Sequence, residues 1–237
     1  IPILLIVILF GLILSGNRMP LLLFILLVSI IVIFNKQTRK YFITFVSILL
    51  IIFSLAFTFN QKVKNNFNSF YGQISNMVKI FKNKDFDNNS SQYLREFASF
   101  YDTWLLNKYI GGGIKSFRYY CHIRPNIDKN SKFVCNMHPH NYYLEILTET
   151  GLIGFIIVSV IFILILHRTF YKKYFDNNSP LINNNIIVPF IFLFIVEIFP
   201  LKSTGSFFTT GNATYIFLII AILIGFTNKE KLIENKI

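Results

Sequence analysis

His140 and Asn141 stand directly before a long hydrophobic stretch and are the residues of this chain best suited to chemistry. An imidazole readily exchanges a proton near neutral pH. Asn is a preferred residue immediately before a helix, where free N–H groups and the helix dipole attract anions such as phosphate. The same positive field favours a neutral imidazole, which can accept a proton. The pair therefore predicts a general base beside a phosphate-binding helix start.

Polar residues continue into the hydrophobic stretch. Asn141, Glu145 and Glu149 recur at helical spacing and form a polar stripe on a helix that is otherwise apolar. Ionisable residues inside such a segment are costly and usually serve a function. The plain alternative is a helix cap, followed by a helix in which Gly151 and Gly154 permit close packing of a neighbour. Residue chemistry alone leaves both interpretations open.

The composition is that of an integral membrane protein. Of 237 residues, 54% are hydrophobic and 14% are charged, whereas soluble domains carry about 25% charged residues. We expect an all-α, polytopic transmembrane helix bundle of about five to six spans, forming one membrane domain over 1–237. Because the chain begins Ile1-Pro2-Ile3, without Met or a basic segment, we expect it to be the C-terminal part of a longer protein. The hydrophobic segments are Ile1–Leu14, Leu21–Phe34, Tyr41–Phe59, Tyr143–Leu166, Ile186–Leu201 and Ala213–Phe226, of which the last two are marginal in length.

Basic residues in the short loops predict the orientation of the spans. If the chain alternates through six spans, the clusters at 36–40, 168–173 and 229–236 all fall on the cytoplasmic side. The turn at 15–20 and a large helical loop at 60–142, between spans three and four, then face the periplasm.

Two helices are predicted within that loop. Apolar residues from Val63 to Phe81 recur at helical spacing among lysines, which is typical of a basic amphipathic helix on a membrane surface. A second helix ends before the glycines at 111–113. It places five apolar residues on one face: Leu94, Phe97, Ala98, Tyr101 and Leu105.

Two arginines are candidates for phosphate binding. Arg18, in the turn at 15–20, could hold a phosphate with two parallel hydrogen bonds, or it could extend its charge to the lipid headgroups. Arg95 lies on the polar side of its predicted helix, where a solvated residue paired with Ser99 or Asp102 is the alternative. For both arginines, residue chemistry alone favours the alternative.

Cys121 and Cys135 are the only cysteines, and both fall in the predicted periplasmic loop. In an oxidising compartment a disulfide is the plain interpretation, and closing this loop would stabilise the protein by about 3 kcal/mol in the entropy model. The alternative is a metal site completed by His122, His138 and His140. Because the spacing matches no common zinc framework, we expect no metal.

Three segments together resemble the C-terminal domain shared by O-antigen ligases and O-antigen polymerases. Ser15-Gly16-Asn17-Arg18 is similar to the family's Ser-Gly-Ser-Arg turn. Arg95 through Trp104 is similar to its Arg-x8-Trp helix, and a Gly-x-Gly…Phe element follows at Gly111, Gly113 and Phe117. His140 through Gly154 matches the hallmark His-Asn-x9-Gly-x-x-Gly. Tyr109 departs from the pattern, since a Pro is common before the glycine element.

The resemblance implies a multi-pass glycosyltransferase of the bacterial inner membrane, with its active site facing the periplasm. Such an enzyme takes a glycan from undecaprenyl pyrophosphate and passes it to a sugar hydroxyl. The acceptor is lipid A–core for ligases and another repeat unit for polymerases, in the synthesis of lipopolysaccharide or surface polysaccharide.

Family roles carried to this sequence give the donor pyrophosphate to Arg18 and Arg95 and the acceptor proton to His140. Asn141, Glu145, Gly151 and Gly154 support them. No metal or other cofactor is implied. The expected partners are the lipid-linked donor, the acceptor and membrane lipids, with no nucleic acid. The alternative is a non-enzymatic exporter or flippase of the same polyprenyl-phosphate glycan, because basic residues would serve both functions.

Overall fold

A computed structural model describes residues 2–15, 18–35, 39–83, 92–125, 135, 140–177, 179–202 and 205–234. Throughout these ranges the backbone forms helices and their connections, and no strand. Contacts divide the chain into two compact units, Ile1–Ser91 and Gln92–Ile237, and each is described by itself.

The first unit contains four helices among its described residues, and the first three coincide with the predicted hydrophobic segments. Asn60 separates the third helix from the fourth, and its Oδ1 accepts hydrogen bonds from the N–H groups of Lys62 (3.1 Å) and Val63 (3.2 Å). The chain bends by 104° at this point. The helices are α1 (Pro2–Ser15), α2 (Arg18–Phe34), α3 (Phe42–Phe59) and α4 (Gln61–Asn83).

The predicted amphipathic helix is confirmed as a helix by α4. Val63 is fully buried against α1 and α3, while Lys62 and Lys64 on either side are exposed. Phe67 also packs inward, edge-to-face on Phe53 at 4.9 Å. The apolar face of α4 is thus used for packing inside this unit, and its position on a membrane surface stays a prediction.

The second unit is built around one long helix. This helix, α7 (Tyr142–Leu166), continues through a π turn (His167–Tyr171) into the short α8 (Lys172–Tyr174). It packs against α5 (Gln92–Trp104), while α9 (Val188–Glu197) packs against α10 (Thr210–Glu234). The remaining described elements of the unit are α6 (Phe117–Tyr120) and two 3₁₀ turns, Cys121–Ile123 and Pro180–Asn183.

Two helices of the described chain are long and apolar enough to cross a membrane, namely Tyr142–Tyr174 and Thr210–Lys229. The bent pair Val46–Phe59 and Gln61–Gly72 would make a third if it forms one span. The fifth hydrophobic segment, marginal in the sequence, yields only the 10 residues of α9. The membrane character of the chain is therefore supported, whereas the count of about five to six spans stays a prediction.

Helix α5 packs differently from the usual expectation that the apolar face of a helix is the buried one. Of the predicted apolar face, Phe97 is 51% exposed and Tyr101 is 47% exposed. The buried residues are Glu96, Ser99, Phe100 and Thr103 instead. The reason is the neighbour: α5 lies against the polar first half of α7, so polar side chains of both helices are buried together.

Candidate active site

Asn141 is the N-cap of α7. Its backbone is extended, and its Oδ1 accepts hydrogen bonds from the N–H groups of Tyr143 (3.0 Å) and Leu144 (3.2 Å). The cap therefore uses N–H groups that a phosphate at the helix start would otherwise bind. The positive field of the helix end remains, but direct anion contacts here must come mainly from cationic side chains.

His140 precedes this cap and is exposed. The imidazole thus lies at the entrance of a span-length helix and is accessible from outside the protein. His138, two residues earlier, lies outside the described residues.

The connection between α9 and α10 packs over the start of α7. Asn141 Nδ2 donates to the carbonyl of Pro200 at 2.6 Å, and the Tyr143 hydroxyl donates to the carbonyl of Ile198 at 2.5 Å. Glu145 is buried, and its carboxylate accepts hydrogen bonds from the Ser206 hydroxyl and from the Phe207 N–H. These bonds hold Ile198, Pro200, Ser206 and Phe207 against the first turns of α7, directly after His140.

A second buried carboxylate joins the same region. Glu197, the last residue of α9, accepts a hydrogen bond from the Tyr142 hydroxyl at 2.9 Å and pairs with Lys202 Nζ at 2.5 Å. The Lys202 ammonium also lies 5.5 Å from the centroid of the Tyr142 ring. Sequence reasoning missed Tyr142, Glu197 and Lys202. The signal that could have found them is Glu197, the one acidic residue of the segment 186–201.

The segment that contains Gly111 and Gly113 is hydrogen-bonded through its backbone to the segment around Gly151. Helix α7 is interrupted at Gly151 (φ +68°, ψ −170°), and Gly111 also has a positive φ of +76°. The Gly113 N–H donates to the carbonyl of Glu149 at 2.9 Å, and the Leu152 N–H donates to the carbonyl of Lys108 at 2.9 Å. A Cβ on Gly111 or Gly151 would come within 2.4 Å of backbone atoms of the other segment. These glycines therefore form a backbone junction, which goes beyond the helix packing offered as the plain alternative.

Glu149 lies at this junction. It is 1% exposed, and its Oε2 has no hydrogen-bond partner among the described residues. Arg118 and Lys115 are nearby cations that interact with it electrostatically. Together with Glu145 it gives the first half of α7 two buried carboxylates, as the predicted polar stripe requires. Gly154, one turn further on, lies against the side chain of Thr150.

The two candidate arginines belong to different units. In the first unit, Arg18 is the first residue of α2, and its Nη2 donates to the carbonyl of Asn66 at 2.8 Å. Its guanidinium lies 5.0 Å from the centroid of the Phe70 ring, so Arg18 contacts α4. In the second unit, Arg95 is part of α5, one turn before Ser99, and its side chain lies outside the described part of the structure.

Cys121 and Cys135 are joined by a disulfide, with their Cα atoms 5.9 Å apart. The buried Arg124 donates to the carbonyl of Cys121 at 2.6 Å and lies 3.0 Å from both sulfur atoms. Burial lowers the pKa of Arg124 from its ordinary value, and the nearby Asp102 carboxylate opposes this shift. The bond ties Cys135 to the 3₁₀ turn Cys121–Ile123, which packs against α5.

The described residues form helices, two of them long enough to span a membrane, and one of these begins with an exposed histidine followed by buried carboxylates. These features define a membrane protein with a polar site at the entrance of a span. The chain belongs to the O-antigen ligase family: the family's model matches residues 3–159, more than half of the chain. No curated protein and no solved structure matches it.

The family implies a membrane glycosyltransferase of the O-antigen ligase or polymerase type, with a lipid-linked glycan and an acceptor as substrates. The matched range contains Arg18, Arg95 and His140. It ends before Glu197 and Lys202, so part of the polar network around α7 lies outside it.

Proposed function

We propose that this protein transfers a glycan from undecaprenyl pyrophosphate to a sugar hydroxyl on the periplasmic side of the bacterial inner membrane. The acceptor is lipid A–core if the protein is a ligase, or another lipid-linked repeat unit if it is a polymerase. The observation that carries the proposal is the exposed His140 directly before the Asn141-capped start of a span-length helix, in a chain of the O-antigen ligase family.

In this proposal His140 is the general base. The acceptor hydroxyl gives its proton to the imidazole as its oxygen bonds to the anomeric carbon, and the bond from that carbon to the pyrophosphate oxygen breaks. A positioned base of this kind typically accelerates a reaction by about 10²–10⁴-fold. Undecaprenyl pyrophosphate leaves with the electron pair. Because it is already a good leaving group, the mechanism requires no strong general acid.

Arg18 and Arg95 are proposed to bind the pyrophosphate. Fixed cations that hold the charge of a departing group can contribute several kcal/mol to catalysis. Guanidinium groups suit this task because their planar N–H groups match phosphate oxygens in pairs. For Arg18 and Arg95 the assignment rests on the family resemblance. The cap at Asn141 supports a need for such cations, because it occupies N–H groups at the helix start.

The buried carboxylates are proposed to support the site without touching the substrate. Glu145 holds Ser206 and Phe207, while Glu197 holds Tyr142 and Lys202, so both fix the α9–α10 connection on the turn that presents His140.

The test uses the full chain, purified and returned to lipid vesicles, with a radiolabelled lipid-linked glycan. Transfer to lipid A–core identifies a ligase, and elongation of a second lipid-linked unit identifies a polymerase. His140→Ala should abolish transfer while donor binding is nearly intact, and His138→Ala, across Pro139, should cost far less. Binding of the donor without turnover on either acceptor would reject the enzyme and favour the exporter or flippase.

A further inference from the structure

A polar pocket lies beyond the end of α7 that is opposite to His140. The span-length helices Tyr142–Tyr174 and Thr210–Lys229 both end beside it. Its two cations come from the π turn and from α8, and its other polar groups come from α10 and from the turn that follows α8. The lining residues are Arg168, Lys172, Ser179, Pro180, Leu181, Thr227 and Asn228.

The wall of this pocket is held in place by Lys173. This side chain is buried, and its ammonium donates to the carbonyls of Leu181 (3.0 Å) and Ile182 (2.5 Å) and to Asn185 Oδ1 (3.2 Å). The 3₁₀ turn Pro180–Asn183 is thereby fixed against α8. The π turn on the other side is an uncommon element that is frequent at functional sites. The walls of the pocket are therefore held in place by hydrogen bonds within the fold.

The pocket carries two cations, Arg168 and Lys172. No carboxylate among the described side chains lies within ion-pair distance of Arg168 or Lys172. The Ser179 Oγ accepts a hydrogen bond from the Leu181 N–H at 3.3 Å, which leaves its own hydrogen available to an anion. A guanidinium, an ammonium and a hydroxyl are the groups that bind a phosphate.

We propose that this pocket binds the phosphate of an anionic phospholipid. A free phosphate would use the same polar contacts, but two features favour the lipid. The pocket lies at the ends of two span-length helices, where headgroups are found. Ile163 and Leu164, one turn before Arg168 on α7, are 63% and 51% exposed and offer an apolar surface for the acyl chains.

The experiment measures which lipids remain bound to the purified full chain in detergent, by native mass spectrometry, after addition of phosphatidylglycerol or phosphatidylcholine. Each basic residue near a lipid surface is worth about a fivefold change in affinity, so two predict a preference for phosphatidylglycerol of about thirtyfold. The double variant Arg168→Gln/Lys172→Gln should lose this preference.

The matched control is Arg39→Gln/Lys40→Gln, which removes one exposed arginine and one exposed lysine from the other unit and should leave the preference unchanged. Equal retention of both lipids by the unaltered protein would overturn the proposal without need of any variant. Complete displacement of phosphatidylglycerol by millimolar inorganic phosphate would assign the pocket to a free anion instead. If the control variant also lost the preference for phosphatidylglycerol, the preference would come from general surface charge. That result would likewise overturn the proposal of a specific lipid site.

Discussion

Gly151→Ala tests the backbone junction on which the proposed site is built. Gly151 has φ +68° and ψ −170°, a conformation that is essentially confined to glycine, and forcing another residue into it costs about 1–3 kcal/mol. The added Cβ would also lie 2.4 Å from the carbonyl group of Tyr109. Because these contacts are backbone atoms, they can be relieved only by moving the loop, at about another 1–3 kcal/mol.

The expected loss is therefore about 2–6 kcal/mol, which is a large part of the 5–15 kcal/mol that typically stabilises a folded domain. It should appear as a lower midpoint in thermal unfolding of the purified protein in detergent, followed by circular dichroism. Gly111→Ala should behave in the same way, because Gly111 has φ +76° and the same 2.4 Å approach from the other side. The double variant should lose less than the sum, since both changes open one junction.

The control for this experiment is Gly225→Ala. Gly225 lies within α10, and a Cβ there would meet nothing within 4 Å. Alanine in a helix is favoured over glycine by about 0.5–1 kcal/mol, so this variant should be as stable as the unaltered protein or slightly more so. If Gly151→Ala unfolds at the same temperature as Gly225→Ala, the junction described here is wrong.

Three further predictions concern the site itself. Transfer by the unaltered protein should survive exhaustive chelation, and His140→Ala should reduce it by at least about 10²-fold; inhibition by EDTA that zinc reverses would contradict the role of His140. Arg18→Lys and Arg95→Lys keep the charge but lose the planar pair of donors, so each should lower donor affinity or turnover at least tenfold, about 1.4 kcal/mol. Full activity in both variants would reject paired recognition of the pyrophosphate. Mass analysis after alkylation should find two thiols, from Cys121 and Cys135, only after reduction, and free thiols in fresh membranes would argue against the disulfide.

The local features of the site could be predicted from the sequence. The start of α7 at Tyr142 follows from an Asn before an apolar run, because capping depends on only a few neighbouring residues. The amphipathic period from Val63 onward likewise indicated α4. Such signals lie within one or two helical turns, which is the range over which a single sequence is informative.

The tertiary partners could not be predicted in this way. Glu145 binds Ser206 and Phe207, about sixty residues further along the chain, and no periodicity in one segment indicates a partner in another. The burial of polar residues on α5 could not be predicted for the same reason, since it depends on contact with the polar first half of α7. The break at Gly151 was also hidden: glycine is compatible with a continuous helix, and only the approach of Gly111 shows that this one is interrupted.

The interruption at Gly151 also divides α7 by its surroundings. Its buried residues are concentrated from Tyr142 to Gly151, whereas exposed large apolar side chains begin at Leu152 and continue to Leu164. The apolar stretch from Leu152 to Leu166 is roughly 22 Å long at 1.5 Å per residue, so with Arg168 and Lys172 at the headgroups it covers about three quarters of a hydrocarbon core of about 30 Å. The ten residues from Tyr142 to Gly151 carry two buried carboxylates, so any part of the crossing that they make must be enclosed by the rest of the second unit rather than exposed to lipid. Gly151 thus marks the change along α7 from a half that is enclosed by protein to a half whose large apolar side chains are exposed.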